Sequence, residues 1–253
     1  MSGTFTGAGV GPGDPELMTL KAVRAIRECR VIAVPVSDGE LSEPFFEKAE
    51  GKGGHTQYLE RCVAYRIARG AVPEAEKKDR IFLPMPMIKE KERLKEIHDR
   101  DADAVAELLE EGKDVVFLTL GDPTVYSTCM YVHKRLKKKG YRTELIPGIP
   151  SFCAAAARMD ISLVENRQEL HVLPASYQIE EGLELPGTKV LMKAGRKMAE
   201  VKRLLLEKGL EAEMVENCGM EGERICLSAE EIPEKAVYYS LLIVKEKKRE
   251  ERA

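Results

Sequence analysis

The chain has 253 residues, of which 43% are hydrophobic and 33% are charged, and its formal net charge is −3. This length and composition provide a substantial hydrophobic core and argue against disorder, while the net charge disfavours a strongly basic nucleic-acid-binding protein. The first residues lack the basic-then-apolar pattern of a signal peptide, and no apolar run is long enough to span a membrane, so we expect a cytoplasmic protein.

The first segment predicts a strand, a turn, a helix and a second strand in succession. Residues 4–10 are small and partly β-branched, and they lead into a glycine-rich turn. Asp14 followed by Pro15 is typical of a helix start, and apolar residues then recur at about every third position up to Ile26. A short apolar run at 31–34 predicts a buried strand, so the chain opens with a βαβ unit.

Helices and strands continue to alternate through the first half of the chain. Residues 36–56 show no hydrophobic period and predict a loop or lid. The pattern then predicts a helix over 58–69, a strand over 81–85, a charged helix over 90–111 ended by Gly112, a strand over 115–120, a helix up to Lys139 and a strand at 145–146. The continuous apolar run of 115–120 is typical of a central strand in a parallel sheet.

The sequence PGIP at 147–150 is the strongest break in the chain. It places a domain boundary between an N-terminal α/β domain over 1–147 and a C-terminal α/β domain over 148–253. The second domain is predicted to contain a helix, two strands, a helix and two further strands, over residues 151–158, 170–173, 189–193, 198–207, 213–217 and 239–244. This alternation predicts the α/β fold class for both domains.

The cysteines and histidines form no recognisable metal or catalytic motif. The six cysteines show no CxxC pair and are interpreted as reduced core thiols: Cys29, Cys62, Cys129, Cys153, Cys218 and Cys226. The four histidines do not supply clustered ligands, so we expect no protein-bound metal. We expect His98 on the surface of the charged helix and structural roles for His133 and His171, and no residue is identified as a catalytic acid, base or nucleophile.

The turn GAGVGPG is open to two interpretations, a tight strand-to-helix connection or a surface where backbone approaches a ligand closely. A Rossmann fingerprint requires GxGxxG, but counting from Gly7 the third glycine would fall at Pro12. The GK[ST] of a phosphate-binding P-loop is also absent. Neither a dinucleotide nor a nucleoside triphosphate is therefore the expected ligand.

The segment Gly121-Asp122-Pro123 directly follows the buried strand, at the sheet edge where open α/β folds bind ligands. One interpretation makes Asp122 a helix N-cap with Pro123 at the first helical position. The other makes it a carboxylate that holds a ribose hydroxyl or an amino group of a ligand. The sequence PGIPSF opens another helix after another strand on the same edge.

Taken together, these segments resemble the tetrapyrrole (corrin/porphyrin) methylase family, which has the class III methyltransferase fold. The similarity runs in order through GVGPGDPELMTLKA at 9–22, VVFLTLGDPTVYST at 115–128, ELIPGIPSFCAAAARMDISL at 144–163, KVLMKAGR at 189–196, ENCGMEGERI at 216–225 and YYSLLIV at 238–244. The form TLGDPTVYST, the KAGR turn and the YYSLLIV ending resemble the branch that methylates C20 of precorrin-2 or cobalt-precorrin-2.

The resemblance implies two α/β domains with S-adenosylmethionine bound in the cleft between them and S-adenosylhomocysteine as product. It implies a C-methyltransferase of cobalamin (vitamin B12) biosynthesis that acts on a tetrapyrrole, forms a homodimer, and has neither nucleic-acid nor membrane partners. Two alternatives stay open: a methylase of the same fold that acts on another tetrapyrrole position, or on protein or RNA, and a non-catalytic binding protein that retained the cofactor cleft.

Position by position, the resemblance implies cofactor contacts, mostly through the backbone, at Pro12, Gly121, Asp122, Val125, Pro150, Ser151, Ala194, Gly219 and Leu242. Threonine is common in the family where this chain has Pro150, so we expect a backbone contact there and no hydroxyl contact. The many carboxylates of the substrate require cationic partners, for which the candidates are Arg61, Arg66 and Arg196. Tyr126 lies next to the cofactor segment and is a further substrate candidate, either to orient the substrate or to help with proton loss.

Overall fold

The computed structural model describes residues 2–50, 55–174 and 179–246, apart from the side chain of Arg196. The chain divides into two compact units, Met1–Pro150 and Ser151–Ala253. Each unit has its own sheet flanked by helices, in agreement with the predicted α/β class. Among the described residues, no helix is both long and apolar enough to cross a membrane.

The N-terminal unit is built on a six-stranded sheet in the order β3-β4-β2-β5-β1-β6. Strand β3 is antiparallel to β4, and the remaining neighbours are parallel. Its described elements are β1 (Thr4–Gly9), α1 (Leu20–Glu28), β2 (Val31–Val36), β3 (Phe45–Glu47), α2 (Thr56–Arg61), α3 (Val63–Ala71), β4 (Asp79–Pro84), α4 (Lys91–Glu110), β5 (Val115–Thr119), α5 (Cys129–Lys138) and β6 (Arg142–Ile146).

Helices cover both faces of this sheet, which explains the continuous apolar run of β5. Val116 and Leu118 face the cluster that contains α1, α2 and α3, whereas Val115 and Phe117 face the cluster that contains α4 and α5. Every residue of β5 is buried, and the strand pairs with β2 on one side and β1 on the other. The predicted central parallel strand is therefore confirmed.

Two of the predicted helices are interrupted. Asp14 does cap a helix, because its side chain accepts from the backbone N of Glu16, but that helix is a short 3₁₀ turn over Pro15–Leu17. Thr19 then caps α1 separately through the backbone N of Ala22. The helix predicted over 58–69 is likewise two helices, α2 and α3, because the backbone is extended at Cys62. The expected loop of 36–56 also contains the short edge strand β3.

The C-terminal unit has a five-stranded sheet in the order β10-β9-β11-β8-β7, in which only β7 and β8 are parallel neighbours among the described strands. Its described elements are α6 (Ser151–Arg158), β7 (Leu170–Pro174), α7 (Ile179–Leu183), β8 (Thr188–Met192), α8 (Met198–Lys208), β9 (Glu211–Glu216), β10 (Arg224–Cys226) and β11 (Ser240–Lys245). Hydrophobic clusters lie on both faces of this sheet. Since β11 is antiparallel to both β8 and β9, the ends of β8 and β9 and the start of β11 share one edge.

The cysteines mostly fit the expectation of reduced core thiols. Cys29, Cys62, Cys129 and Cys226 are buried and unpaired, and burial raises the pKa of Cys29 and Cys129 to about 12. The expectation is wrong for Cys153, which is exposed on α6, and Cys218 is only half-buried. A first-turn position on a short helix at the unit's surface leaves the Cys153 thiol outside the core.

His98 is buried, so the expected surface position is wrong. It is 6% exposed because α5 packs against α4 and stacks Tyr131 on the imidazole, with ring centroids 4.5 Å apart. His133 is also buried and packs 6.3 Å from the Phe5 ring, in agreement with a structural role. His171 is half-buried, with Nε2 lying 3.2 Å from a carboxylate oxygen of Glu169.

Asp101, one turn beyond His98 on α4, is fully buried. Its Oδ2 lies 3.7 Å from Nδ1 of His98, within ion-pair distance but too long for a hydrogen bond, and neither carboxylate oxygen has a hydrogen-bond partner among the described residues. Burial raises the pKa of Asp101, and the neighbouring His98, Arg100 and Arg135 oppose this without reversing it. The fold therefore favours a neutral carboxyl group at this position.

We predict that Asp101→Asn stabilises the protein at alkaline pH. Burial raises the pKa of Asp101 in the folded state. The protonated carboxyl group therefore makes its full contribution to the free energy of unfolding below the unfolded-state pKa of about 4, and this contribution is lost as the pH rises through the folded-state pKa. Denaturant unfolding at pH 8 should show a larger free energy of unfolding for Asp101→Asn than for the unmutated chain, with the two converging near pH 4. Asp99→Asn, an exposed site on the same helix, should show no such gain, and a pH-independent difference for Asp101→Asn would contradict the prediction.

Candidate functional site

The candidate site of the N-terminal unit is the sheet edge where β5, β1 and β6 end. Strand β1 lies between the other two, in a register that pairs Gly9 with Thr119 and Ala8 with Ile146. The three segments that leave this edge carry the glycine-rich turn, the GDP motif and the PGIP motif. The parallel topology thus brings together three motifs that are distant in sequence, at the edge where such sheets bind ligands.

Backbone atoms of the three loops are in direct contact at Gly9, Gly121 and Gly148. A Cβ on Gly148 would lie 2.1 Å from the carbonyl oxygen of Gly121 and 2.9 Å from Cα of Gly9, so a side chain there would force the backbone apart. Gly11 and Gly121 both have positive φ, and the backbone N of Gly121 donates to the carbonyl oxygen of Gly11 at 2.7 Å. The glycines therefore serve contact between loops as well as turn geometry.

The carboxylate of Asp122 joins the second loop to the third. Its Oδ1 accepts from the backbone N of Thr124 at 2.8 Å and from the Thr124 hydroxyl, while Oδ2 accepts from the backbone N of Gly148 at 3.0 Å. The N-cap interpretation is wrong, because α5 begins only at Cys129 and residues 122–128 form turns before it. A buried carboxylate that accepts three hydrogen bonds makes a strong link between loops, since charge-assisted hydrogen bonds exceed neutral ones.

The remainder of the second loop is fixed at its far end by a pair of hydroxyl groups. Ser127 Oγ lies 2.7 Å from Thr119 Oγ1 and accepts from the backbone N of Cys129 at 3.2 Å. Between this anchor and Thr124 lies Tyr126, with a φ of 49° and a side chain that is 47% exposed. Bulky residues rarely adopt this left-handed conformation, so the loop presents an aromatic ring on a strained backbone.

The other predicted residues of this unit occupy distinct places. Pro12 is buried within the first loop, and Val125 and Pro150 are half-buried in the second and third. Arg61 forms an ion pair with Asp38, which lies two residues after the carboxyl end of β2 on the same sheet edge. Arg66 is exposed on α3, and its guanidinium makes no hydrogen bond or ion pair to any residue that the structure describes.

In the C-terminal unit, Ala194 and Gly219 lie where β8 and β9 end. Ala194 is fully buried, and Gly219 has a φ of 71°. Leu242 lies in the middle of β11, with its side chain in the hydrophobic core and its neighbours on β8 and β9 being Leu191 and Met214. Ser151 is the first residue of α6, on a different element, and the side chain of Arg196 lies outside the described residues.

Sequence reasoning missed a buried carboxylate in this unit, Glu216. Its Oε1 accepts from the backbone N of Val237 at 3.0 Å and from the Ser240 hydroxyl at 3.2 Å, which fixes the segment before β11 against the end of β9. A single Glu at the end of a strand carries no sequence signal for this role. Lys193, directly after β8, was also missed; it has a φ of 61°, and burial lowers its pKa.

Within the part of the chain that the structure covers, no group of three or more His, Cys, Asp or Glu residues is placed to hold a metal ion. The chemistry available at the two sheet edges is instead that of bare backbone, buried carboxylates and a few cationic and aromatic side chains. Such an arrangement can bind and orient a small polar ligand.

Comparison with known proteins gives a consistent result. Residues 4–233 match the sequence profile of the Tetrapyrrole (Corrin/Porphyrin) Methylases. The chain is 36% identical over 187 residues to a probable cobalt-precorrin-2 C(20)-methyltransferase of Methanocaldococcus jannaschii, covering 74% of this chain and 70% of that protein. It is 32% identical over 257 residues to a precorrin-2 C(20)-methyltransferase of Sinorhizobium sp., covering 96% and 95%.

The fold also matches a solved structure over nearly its full length. The crystal structure of uroporphyrin-III C-methyl transferase from Thermus thermophilus, in complex with S-adenosylhomocysteine, superposes with a TM-score of 0.64 at 22% sequence identity. The match covers 96% of this chain and 98% of that one. At this identity the likeness concerns the fold alone.

We predict that Asp122→Ala destabilises the N-terminal unit by about 1.5–3 kcal/mol, because it leaves partly buried backbone donors of two loops without their charged acceptor. The control is Asp14→Ala, which removes a cap within one loop and should cost about 1 kcal/mol. Denaturant unfolding of the two variants measures both values. Equal or smaller losses for Asp122→Ala would show that the bond to Gly148 does not hold the loops together.

Proposed function

Because the chain belongs to the tetrapyrrole (corrin/porphyrin) methylases, we propose that it is an S-adenosylmethionine-dependent methyltransferase of cobalamin biosynthesis that methylates C20 of precorrin-2 or cobalt-precorrin-2. The observation that carries the proposal is the similarity to a precorrin-2 C(20)-methyltransferase over 96% of the chain. The interlocked loops at the carboxyl edge of the N-terminal sheet support it, since they offer a fixed surface at the position where α/β sheets bind ligands.

We propose that backbone groups hold the donor at the positions that the family resemblance implies. The residues that hold it are Pro12, Gly121, Asp122, Val125 and Pro150 in the N-terminal unit and Ser151, Ala194, Gly219 and Leu242 in the C-terminal unit. The fit rests on the contact of the three loops at Gly9, Gly121 and Gly148, which gives the sheet edge a fixed backbone surface for a ligand with hydroxyl, amino and carboxylate groups. Asp122 contributes chiefly by holding this surface together.

The substrate carboxylates require cationic partners, and the candidates differ in availability. Arg66 has a guanidinium without a described partner, whereas Arg61 is already paired with Asp38. A free guanidinium can bind a carboxylate bidentately without first breaking an ion pair. We therefore propose Arg66 as a stronger candidate than Arg61 for binding a substrate carboxylate. Arg196 is the candidate from the C-terminal unit.

Positioning accounts for the catalysis that this site requires. The donor supplies a methyl group already activated by its sulfonium, and the reduced macrocycle supplies a nucleophilic carbon. The protein must align the two and exclude water, and neither task needs a strong acid or base. His133 packs beside Phe5 at the amino end of β1, at the opposite end of the sheet from the loops, which agrees with this view.

We further propose that the enzyme works in the cytoplasm as a homodimer and without nucleic acid. Two-fold homodimers are the commonest oligomers of soluble enzymes. The net charge of −3 supports the absence of a nucleic-acid partner.

The proposed function is tested by incubating the purified protein with ¹³C-methyl-labelled donor and precorrin-2, with and without cobalt in the macrocycle. We predict one new methyl group, located at C20 by NMR, and one S-adenosylhomocysteine released per methyl transferred. Preference for the cobalt-containing or the metal-free substrate identifies the pathway. Methylation at a different carbon would contradict the C20 assignment, and donor binding without transfer would indicate a binding protein.

A further inference from the structure

The strained loop after β5 carries a residue whose type does not fit its backbone. Asp160, Asn166, Asn217 and Lys193 also have positive φ, and of these residue types only Asn and Asp tolerate the left-handed conformation. Tyr126 does not belong to these types, and its φ is 49°. At the same sheet edge, two other residues with positive φ are glycines, Gly11 and Gly121. A glycine at position 126 would adopt this conformation without strain.

Hydrogen bonds on both sides of Tyr126 impose this conformation. On one side, Asp122 binds the backbone N of Thr124 and accepts at its carbonyl from the backbone N of Val125 at 3.2 Å. On the other, the Ser127 hydroxyl is held by Thr119. The loop is therefore fixed before a ligand arrives, and it displays a ring that is 47% exposed beside the cofactor segment. Strain that the surroundings enforce at a ligand-binding edge points to a role for the side chain it displays.

We propose that Tyr126 is the residue that orients the tetrapyrrole, with its ring packing flat against the macrocycle so that C20 faces the donor methyl group. This rests on the proposed function. A conjugated macrocycle presents a broad apolar face, and an aromatic side chain offers a rigid matching surface. The ring provides the contact, and the phenolic hydroxyl has no part in it.

Three variants of Tyr126 distinguish the contributions of its aromatic ring, its backbone strain and its hydroxyl group. Tyr126→Gly and Tyr126→Asn remove the ring and place a tolerant residue in the left-handed conformation, so both should melt at a higher temperature than the unmutated protein. Both should bind precorrin-2 about tenfold or more weakly, as expected for the loss of a buried aromatic contact. Tyr126→Phe retains the ring and should keep the unmutated tetrapyrrole affinity.

The measurements are thermal unfolding, calorimetric binding of S-adenosylhomocysteine, and absorbance titration of precorrin-2 with S-adenosylhomocysteine present. The dissociation constant for S-adenosylhomocysteine should change by less than about threefold in all three variants, because the loop anchors at Thr124 and Ser127 remain. Tyr131→Asn is the matched control: this tyrosine is similarly exposed but helical, so its loss should lower the melting temperature and leave precorrin-2 binding unchanged.

Several results would overturn the inference. They are unchanged precorrin-2 binding in Tyr126→Gly and Tyr126→Asn, lower melting temperatures in those variants, weakening of S-adenosylhomocysteine binding to the same degree, or loss of precorrin-2 binding in Tyr126→Phe. Because equilibrium binding is measured without turnover, an unmutated protein that binds precorrin-2 but does not methylate it would refute the proposed function and still test Tyr126. An unmutated protein that does not bind precorrin-2 would refute both.

Discussion

The bond from the Gly148 amide to the Asp122 carboxylate connects loops that leave two different strands, and the rest of the candidate site depends on it. It can form only because glycine at positions 9, 121 and 148 lets the backbones approach closely. Once formed, it fixes the start of the second loop, whose far end is held by the Ser127 hydroxyl. The glycines, the carboxylate and the strained tyrosine are thus parts of one arrangement.

The C-terminal unit also contains a buried carboxylate that holds a neighbouring segment by hydrogen bonds. Glu216, buried at the end of β9, holds the backbone N of Val237 and the hydroxyl of Ser240, as Asp122 holds its neighbouring loop. A Cβ on Gly195 would lie 2.9 Å from the carbonyl oxygen of Val237, which is another close approach between segments. In both units a buried carboxylate and a glycine order a segment at the sheet edge, where the proposed ligands require fixed peptide groups.

The hydrophobic pattern of the sequence predicted elements such as α6 and β5. Amphipathic helices and buried strands each produce a recognisable arrangement of apolar residues along the chain. Strands β3 and β10 were missed, since three residues are too short for a period. Two of the misassigned residues, His98 and Asp122, have environments that are set by partners distant in sequence. Tyr131 on α5 buries His98, and Gly148 diverts Asp122 from the capping role that its local sequence indicates. Local propensity contains no information about such partners.

Native-state hydrogen exchange of the protein without donor measures whether the three loops are fixed to one another before a ligand binds. The account predicts that the amides of Gly121 and Gly148 exchange as slowly as those of β1 and β5, because their acceptors are Gly11 and the buried Asp122 carboxylate. It also predicts that Asp122→Ala exposes the Gly148 amide to exchange while β1 stays protected. Exchange of both amides in the unmutated protein at the rate of an open loop would contradict the account, because the surface would then not exist before the donor binds.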